Sequence, residues 1–269
     1  MPMLPGPSDT GAAIVTGASS GIGEHIAREL VRRGHQVILV ARRGERLRDL
    51  ADALGPQAHV LSADLSQPAD RAALPTRVAD LGLTVDILVN NAGLSNLGSV
   101  ARVDVAAELR LIEVDVAAVV DLCTRFVPGM VARGSGAVLN VASVGAFGPV
   151  PWQASYGAAK AFVLSYTEAM SEELKGTGVT ATVVCPGPVR TGFGAAAGIP
   201  DEEAEKLLPK FLWEQPDTVA RTAVDGLAQG RRVVVPGVPN RVAAVVNRLA
   251  PRWLLLPVLA RSHPGRAHR

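Results

Sequence analysis

Short apolar, β-branched segments alternate with longer segments of helical periodicity along most of the chain, and this alternation limits the possible folds more than any other feature. The strand candidates are apolar at nearly every position, so we expect both faces of each strand to be buried. Apolar strands separated by helices predict a parallel sheet with helices on both faces. The predicted strands cover residues 12–16, 36–41, 58–61, 86–90, 137–142, 180–185 and 232–235.

The helical segments complete an α/β fold of the doubly wound, Rossmann type, with about seven strands and right-handed crossovers. A chain of 269 residues, of which 48% are hydrophobic, suits a single domain of this kind. We assign residues 1–238 to that domain and residues 239–269 to a basic, amphipathic C-terminal tail. The predicted helices cover residues 22–33, 45–53, 68–81, 103–132, 154–175 and 216–229.

A glycine-rich turn follows the first predicted strand. It reads Thr-Gly-Ala-Ser-Ser-Gly-Ile-Gly over residues 16–23 and leads into a helix. Gly17 and Gly21 allow a tight turn that brings the backbone close to a pyrophosphate, and Gly23 allows the helix to pack against the strand. The free N–H groups and the positive dipole end of the helix favour a phosphate. This position in the fold indicates a dinucleotide site, with a turn that binds no ligand as the alternative.

A tyrosine and a lysine four residues apart, Tyr156 and Lys160, lie in the predicted helix 154–175. Four residues make about one helical turn, so the two side chains share a face. An ammonium beside a phenol stabilises the phenolate and lowers the phenol pKa from about 10, which suits proton exchange with a carbonyl or an alcohol. Such a pair also occurs on solvated helix faces, so its meaning depends on the motifs around it.

Five motifs occur in a fixed order along the chain. They are Gly-x-x-x-Gly-x-Gly at residues 17–23, Asn-Asn-Ala-Gly at 90–93, a serine at 143, Tyr-x-x-x-Lys at 156–160 and Pro-Gly at 186–187. In kind and order they resemble the short-chain dehydrogenase/reductase family, over about residues 12–235. The resemblance implies hydride transfer between a nicotinamide cofactor and a carbonyl or alcohol.

The residues after the second predicted strand bear on the choice of cofactor. An acidic residue there would accept hydrogen bonds from the adenosine ribose and favour NAD. Arg42 and Arg43 stand there instead. The planar guanidinium of Arg42 suits a 2′-phosphate, and Arg43 stacks on the adenine or adds charge. We therefore predict NADP(H), the alternative being two surface arginines at a helix entry.

The resemblance also implies the remaining cofactor contacts. Asp64 and Leu65 would flank the adenine, although Asp64 is alternatively a simple turn residue. The segment after residue 185 would cover the nicotinamide carboxamide. The implied cofactor-binding residues are Gly17, Ser19, Ser20, Gly21, Ile22, Gly23, Arg42, Arg43, Asp64, Leu65, Asn91, Ala92, Gly93, Val114, Tyr156, Lys160, Pro186, Gly187, Val189 and Thr191.

By the same resemblance, Tyr156 is the general acid in reduction and the base in oxidation. Lys160 lowers the tyrosine pKa and binds the nicotinamide ribose, and Ser143 binds the substrate oxygen and stabilises the developing alkoxide. Asp115 stands where the family usually has an asparagine that holds a water linking the lysine to solvent. An aspartate can also accept from such a water but adds negative charge near Lys160, so we include it among the catalytic residues and expect an altered pH profile. The alternative is that Asp115 only bonds nearby backbone.

Residues 192–215 resemble the variable substrate lid of the family. Part of this segment is expected to close over the substrate, and its apolar character favours a lipophilic carbonyl. Its large apolar residues are Phe193, Ile199, Leu207, Leu208, Phe211, Leu212 and Trp213.

The tail is basic, because Asp225 is the last acidic residue and eight arginines follow it. Helical periodicity places an apolar stripe on one face of the tail and arginines on another. We expect a helix docked on its own domain or on a subunit partner, with contact to an anionic membrane surface as the alternative. The stripe comprises Val242, Val245, Val246 and Leu249, the arginines are 231, 232, 241, 248, 252, 261, 266 and 269, and an apolar run follows at 253–259.

Composition and charge bear on other classes of function and on the location of the protein. A net charge of +2 gives no reason to expect nucleic-acid binding, and the scattered histidines predict no metal site. Cys123 and Cys185 suggest no disulfide framework. Residues 1–11 do not have the pattern of a signal peptide. No apolar run approaches the roughly 20 residues of a membrane span. We expect a cytoplasmic protein, with peripheral attachment to a membrane surface as the alternative.

These observations predict an NADP(H)-dependent oxidoreductase that reduces a lipophilic ketone or aldehyde, or oxidises the matching alcohol. A ketoacyl thioester or a steroid-like compound is a narrower option. The resemblance also implies a homodimer or homotetramer formed through the helices at 103–132 and 154–175. The alternative is a regulatory or scaffold protein that binds NADPH and has lost catalysis.

Overall fold

A computed structural model of the chain describes residues 4–196 and 209–262. Within these ranges seven strands form one parallel sheet, as the sequence predicts, and their order is β3-β2-β1-β4-β5-β6-β7. The chain thus moves outward from β1 to one edge, returns to the centre at β4, and continues to the other edge. The strands are β1 (Gly11–Thr16), β2 (Gln36–Ala41), β3 (Ala58–Ser62), β4 (Thr84–Asn90), β5 (Gly136–Val141), β6 (Val179–Val184) and β7 (Val233–Val234).

The helices agree with the predicted ranges to within a few residues, with one exception. The predicted helix 103–132 is interrupted at Glu113–Ala117 by a π-helical turn, which follows α4 and precedes α5. The helices are α1 (Gly21–Arg32), α2 (Gly44–Leu54), α3 (Pro68–Ala79), α4 (Val105–Ile112), α5 (Ala118–Arg133), α6 (Ala154–Glu173), α7 (Phe193–Ala196), α8 (Pro216–Ala228), α9 (Val238–Leu249) and α10 (Arg252–Ser262), and the 3₁₀ turns are Val144–Phe147 and Lys210–Leu212.

Two hydrophobic layers cover the sheet, one on each face. Ile14 of β1 packs into the layer that contains side chains of α3, α5 and α6. Its neighbour Val15 packs into the opposite layer, with side chains of α1, α2 and α8. Because successive side chains of a strand point to opposite faces, a strand buried on both sides must be apolar throughout. This explains the uninterrupted apolar runs in the sequence.

A buried polar network ties the centre of the sheet to α6. The Asn90 side-chain amide donates to Asn140 Oδ1 at 2.9 Å, and Asn140 Nδ2 donates to Thr167 Oγ1 at 2.9 Å. Asn140 and Thr167 have no exposed surface. The network fixes the register of α6 against β4 and β5, and α6 carries Tyr156 and Lys160.

The two C-terminal helices, α9 and α10, pack on the same domain. Asn240 Nδ2 of α9 donates to the backbone oxygen of Leu212 at 3.1 Å, and Trp152 Nε1 donates to the backbone oxygen of Ala260 in α10 at 3.1 Å. These contacts fit the docked alternative for the tail, whose Arg266 and Arg269 lie outside the described residues. No helix in the described part of the chain is both long and apolar enough to cross a bilayer.

Candidate active site

A cavity of about 850 Å³ opens at the carboxyl ends of the central strands. Ligands of open parallel sheets bind at this edge, where the strand order reverses. Two of the predicted site residues, Gly23 and Asp115, lie behind its wall. The others line it, namely Gly17, Ser19, Ser20, Gly21, Ile22, Arg42, Arg43, Asp64, Leu65, Asn91, Ala92, Gly93, Val114, Ser143, Tyr156, Lys160, Pro186, Gly187, Val189 and Thr191.

The turn between β1 and α1 has a backbone that requires glycine. Gly17 and Gly21 have φ angles of +66° and +61°, in the left-handed region. A Cβ at Gly17 would lie 2.8 Å from the Cα of Ala92, and a Cβ at Gly23 would lie 2.6 Å from the backbone oxygen of Gly17. The turn therefore presents bare backbone to the cavity at the N-terminus of α1, a shape and polarity that fit a diphosphate.

Asn91 and Thr16 hold the turn against the end of β4. The Asn91 side-chain amide donates to the backbone oxygen of Thr16 at 2.9 Å. The Thr16 hydroxyl accepts from the backbone N–H groups of Asn91 at 2.9 Å and Ala92 at 3.0 Å. These bonds join the ends of β1 and β4, so Asn91 both lines the cavity and shapes the turn.

Positive charge gathers at the end of the cavity next to β2. Arg43 Nη2 donates to Ser19 Oγ at 2.8 Å and to Ser20 Oγ at 3.0 Å, which places its guanidinium on the glycine-rich turn. Arg42 and Arg46 line the same end of the cavity. Burial, with the nearby charges of Arg46 and Arg42, lowers the pKa of Arg43. A site of this kind suits a phosphate group outside the turn itself.

Asp64 lines the cavity, but its carboxylate is also engaged in the turn after β3. Its Oδ1 accepts from the Ser66 backbone N–H at 3.0 Å and from the Ser66 hydroxyl at 2.8 Å, and its Oδ2 pairs with Arg110 at 2.8 Å. The turn role left open in the sequence is therefore present in the structure. The adenine role remains a prediction.

Three side chains meet where the cavity reaches the end of β5. Tyr156 and Lys160 lie on one face of α6, with Lys160 Nζ 5.7 Å from the centre of the Tyr156 ring. Ser143 follows β5, its hydroxyl accepts from the Gly145 N–H at 3.1 Å, and it lines the same part of the cavity as Tyr156. The structure thus brings together the residues predicted to exchange a proton with the substrate.

Asp115 is buried behind the cavity wall, where it contacts Lys160. It lies in the π-helical turn and has no exposed surface. Its Oδ1 accepts from the Leu94 N–H at 2.6 Å, and its Oδ2 lies 2.9 Å from Lys160 Nζ, which also donates to the Val141 oxygen at 3.3 Å. The contact with the lysine is therefore direct, rather than the water link expected at this position, and the backbone bond of the alternative is present as well.

The proton affinities at this centre differ from the prediction. Burial raises the pKa of Tyr156; Lys160 and the hydrogen bond from Ser143 lower it without offsetting burial, and Asp115 adds to the rise. The predicted fall in the Tyr156 pKa is therefore wrong for the protein side chains alone. Burial lowers the pKa of Lys160, but the charges of Asp115 and Tyr156 and the hydrogen bond to Asp115 together outweigh it, so the pKa of Lys160 is raised. Burial likewise raises the pKa of Asp115 against the opposing effect of Lys160.

The substrate end of the cavity is more apolar. Phe193, Leu212 and Trp213 of the predicted lid line it, and the Phe193 ring lies 6.1 Å from the Tyr156 ring. Ile199, Leu207 and Leu208 lie outside the described residues. The described ranges hold no cluster of side chains suited to a metal ion.

Sequence reasoning missed the contribution of the tail to this wall. Asn240, Ala243 and Asn247 of α9 and Leu259 of α10 line the cavity. A Cβ at Gly187 would overlap the Asn240 side chain, so α9 packs directly on the segment after β6. The spacing of residues 240, 243 and 247 marks one face of a helix and could have indicated this wall.

Known proteins resemble the chain in both sequence and structure. A family model described as short chain dehydrogenase matches residues 11–201. An NADP-dependent 3-hydroxy acid dehydrogenase of Escherichia coli is 36% identical over 180 residues, covering 65% of this chain and 71% of that protein. A short-chain dehydrogenase from Sphingobium yanoikuyae, solved with NADPH, is 33% identical with a TM-score of 0.77 and covers 94% of each chain. An actinorhodin polyketide ketoreductase solved with NADPH is 31% identical with a TM-score of 0.76, covering 87% of this chain and 98% of that one.

Proposed function

Because the chain belongs to the short-chain dehydrogenase family, we propose that it is an NADP(H)-dependent oxidoreductase that interconverts a carbonyl compound and its alcohol. The observation that carries the proposal is the convergence of Ser143, Tyr156 and Lys160 on one cavity that also contains the glycine-rich turn. These are the groups needed to bind a carbonyl oxygen and give it a proton.

The cofactor end of the cavity fits a dinucleotide that carries an extra phosphate. The turn at Gly17 and Gly21 would hold the diphosphate, while Arg42 and Arg43 would hold the 2′-phosphate. Two structural neighbours bind NADPH, and the E. coli relative is NADP-dependent. When bound, the nicotinamide supplies a hydride to a carbonyl carbon or accepts one from an alcohol carbon.

The protein side chains manage the oxygen and its proton. In reduction, the Ser143 hydroxyl binds the carbonyl oxygen and Tyr156 donates its phenolic proton to that oxygen as negative charge develops there. The Lys160 ammonium stabilises the phenolate that remains. In oxidation, the phenolate of Tyr156 takes the alcohol proton. Asp115 acts through Lys160, holding it protonated and in place.

We propose a lipophilic ketone as the substrate, with a ketoacyl compound as the narrower choice. The support is the apolar wall near Tyr156, which includes Phe193, Leu212 and Leu259. A structural neighbour that is 31% identical to this chain is a polyketide ketoreductase, which supports the narrower choice. Apolar walls with few polar groups select by shape and hydrophobic contact.

One observation favours a second candidate, a protein that binds NADPH and does not turn over. Asp115 neutralises Lys160, and the Tyr156 pKa is raised instead of lowered. Such a site would bind the cofactor normally and exchange protons poorly.

The deciding experiment measures NADPH consumption against ketones, aldehydes and ketoacyl thioesters. Tyr156→Phe should lower turnover by about 10²- to 10⁴-fold while NADPH binding stays intact. The matched control is Tyr166→Phe, since Tyr166 lies on the same helix and its ring stacks against Phe162 with centres 5.7 Å apart. Equal rates in the two variants would refute the catalytic role. Tight NADPH binding with no turnover of any substrate would support the second candidate.

We also propose that the chain forms a homodimer or homotetramer through α4, α5 and α6. Supporting this, Val105, Leu109 and Ile112 of α4 and Phe162 of α6 are large apolar side chains with exposed surface. Leu109→Asp should reduce the mass measured by light scattering. An unchanged mass would exclude this face as the interface.

A further inference from the structure

Helix α9 is docked on the domain with its apolar stripe pointing away from it. Asn240 and Ala244 are 2% and 4% exposed and form the inner face, together with Ala243 and Asn247 of the cavity wall. Leu249 on the other side is 75% exposed. An amphipathic helix of a globular protein ordinarily buries its apolar stripe, so this arrangement is the reverse of the usual one.

The exposed apolar surface continues from α9 onto α10. We call it the outer face. It consists of large apolar side chains that are more than one-third exposed, namely Val238, Val242, Val245, Val246 and Leu249 of α9, and Trp253, Leu254, Leu256 and Val258 of α10. A group of this size marks a surface that meets another apolar phase or partner.

The charge of α9 and α10 indicates what the outer face binds. The chain from residue 226 onward contains no acidic residue, and the exposed arginines of α9 and α10 are Arg241, Arg248, Arg252 and Arg261. Arg252 also donates to the backbone oxygens of Asn247 and Phe147, and Arg241 Nε donates to the Val235 oxygen, so Arg248 and Arg261 contribute most directly to the charge of this surface. On α9, the spacing of Arg241 and Arg248 sets both beside the apolar stripe. We propose that the outer face binds the surface of an anionic lipid membrane, with the apolar side chains at the acyl boundary and the arginines at the headgroups.

The geometry agrees with a helix pair that lies on a membrane instead of crossing it. Helices α9 and α10 have 12 and 11 residues, and a span requires roughly 20. Their inner side is held by the Asn240 and Trp152 hydrogen bonds, so the domain remains on the aqueous side. Trp253 is an amphipathic ring of the kind enriched at membrane interfaces.

A second copy of the chain fits the outer face less well. A symmetric contact places the same patch against itself, so the arginines of one copy would face a surface whose only charged side chains are also arginines. No carboxylate of α9 or α10 is available to neutralise them. Burying like charges opposes such a contact, whereas an anionic lipid surface compensates the charge.

The same two helices line the cavity with their inner sides, so membrane binding would put the substrate end of the cavity close to the lipid. A lipophilic carbonyl compound could then enter from the bilayer. This part rests on the proposed function. The binding itself does not, and it can be measured without substrate or turnover.

The experiment is co-sedimentation of the full chain with vesicles of phosphatidylcholine alone and of phosphatidylcholine with phosphatidylserine. We compare wild type, the double variant Val245→Asp/Leu249→Asp, the variant Arg241→Gln/Arg248→Gln, and the control Val100→Asp. Val100 is 77% exposed and lies on the loop before α4, outside the outer face, so the control adds one negative charge elsewhere on the surface. Thermal melting and NADPH binding verify that every variant is folded.

We expect wild type and Val100→Asp to sediment with the anionic vesicles and both double variants to partition at least about tenfold more weakly. High salt should weaken the binding of wild type. Absence of wild-type binding, or equal binding by all four proteins, would overturn the proposal. So would a wild-type dimer that Val245→Asp/Leu249→Asp converts to a smaller species while no protein binds vesicles, because the occupant would then be a second copy.

Discussion

Asp115 places a carboxylate oxygen 2.9 Å from the ammonium of Lys160, inside the protein and directly behind the cavity. Gly93 packs against this pair, and a Cβ there would lie 3.1 Å from both charged atoms. The lysine that should stabilise a Tyr156 phenolate therefore already has a counter-ion. The pKa of Tyr156 therefore depends on how strongly Lys160 interacts with Asp115 and how strongly it interacts with the phenolate.

Replacement of Asp115 tests its effect on the pKa of Tyr156. In Asp115→Asn the negative charge that raises the Tyr156 pKa is gone, so that pKa falls. Alcohol oxidation requires the phenolate and rises with pH, so its rising limb should move to lower pH by about one unit. The measurement is kcat against pH for oxidation, with Asp121→Asn as the control because Asp121 pairs with Arg71 and Arg125 away from the cavity. A limb that stays at the wild-type pH would show that Asp115 does not set the proton affinity.

The two arginines after β2 give a prediction about cofactor choice. Loss of a charge-assisted phosphate contact costs about 10- to 100-fold in affinity, so Arg42→Ala and Arg43→Ala should weaken NADPH binding by that amount and leave NADH unchanged. Titration of each cofactor by fluorescence measures both. Arg48→Ala is the matched control, since Arg48 is exposed on α2 and does not line the cavity. Equal losses for NADPH and NADH would mean that the arginines shape the turn and do not read the phosphate.

The sequence predicted what depends on local pattern and missed what depends on distant contacts. The strands and the glycine-rich turn were predicted to within a few residues, because period and turn chemistry are local. The π-helical turn at Glu113–Ala117 was not predicted, since one inserted residue barely changes the helical pattern, and the contact of its Asp115 with Lys160 is made between residues far apart in sequence. The stripe on α9 was visible, but its outward orientation is set by Asn240 packing on Gly187.

The burial of Tyr156 could not be predicted either, because it also depends on contacts between distant parts of the chain. The spacing of Tyr156 and Lys160 predicted a lowered tyrosine pKa. Spacing contains no information on desolvation, and desolvation decides the direction here.

The polar network beneath α6 should contribute to stability. Asn140→Leu keeps the branching of the side chain but removes the oxygen that accepts from the Asn90 amide and the donor to Thr167 Oγ1, while the Asn90 amide keeps its 3.4 Å bond to Cys123 Sγ. Each buried group that loses its partner costs about 1–3 kcal/mol, so the free energy of unfolding should fall by roughly 3 kcal/mol. Urea denaturation measures the change. Gln57→Leu serves as the control, because Gln57 makes only an exposed bond to the Gly34 oxygen, and its cost should stay within about 0.5 kcal/mol. Similar losses in both variants would deny the network this role.

Glu29 makes stability depend on acid pH. Hydrogen bonds from Arg32, and then from Arg33, hold the Glu29 pKa at about 2, below its ordinary 4.5, although burial opposes them. A carboxylate with a depressed folded pKa stabilises the protein above the unfolded pKa and loses that contribution as the pH falls. Because the Arg32 side chain is 67% exposed, solvent screens much of this interaction. The stability difference between wild type and Glu29→Gln should therefore be on the order of 1 kcal/mol above pH 4.5 and shrink toward pH 2.

Denaturation of both proteins at a series of pH values measures this difference. Glu24→Gln is the control, since the Glu24–Arg28 pair lies on the exposed side of the same helix. A difference that does not change between pH 4.5 and pH 2 would contradict the assignment.

The cavity is assembled from segments far apart in the chain. Residues 17–93 line one part of the cavity, and residues 240–259 contribute to another part of its wall. If the proposed function holds, evolution can alter the accepted substrate through residues 238–262 and leave the segments for cofactor and proton unchanged. Exchange of residues 238–262 between relatives would be a compact way to build enzymes of new selectivity.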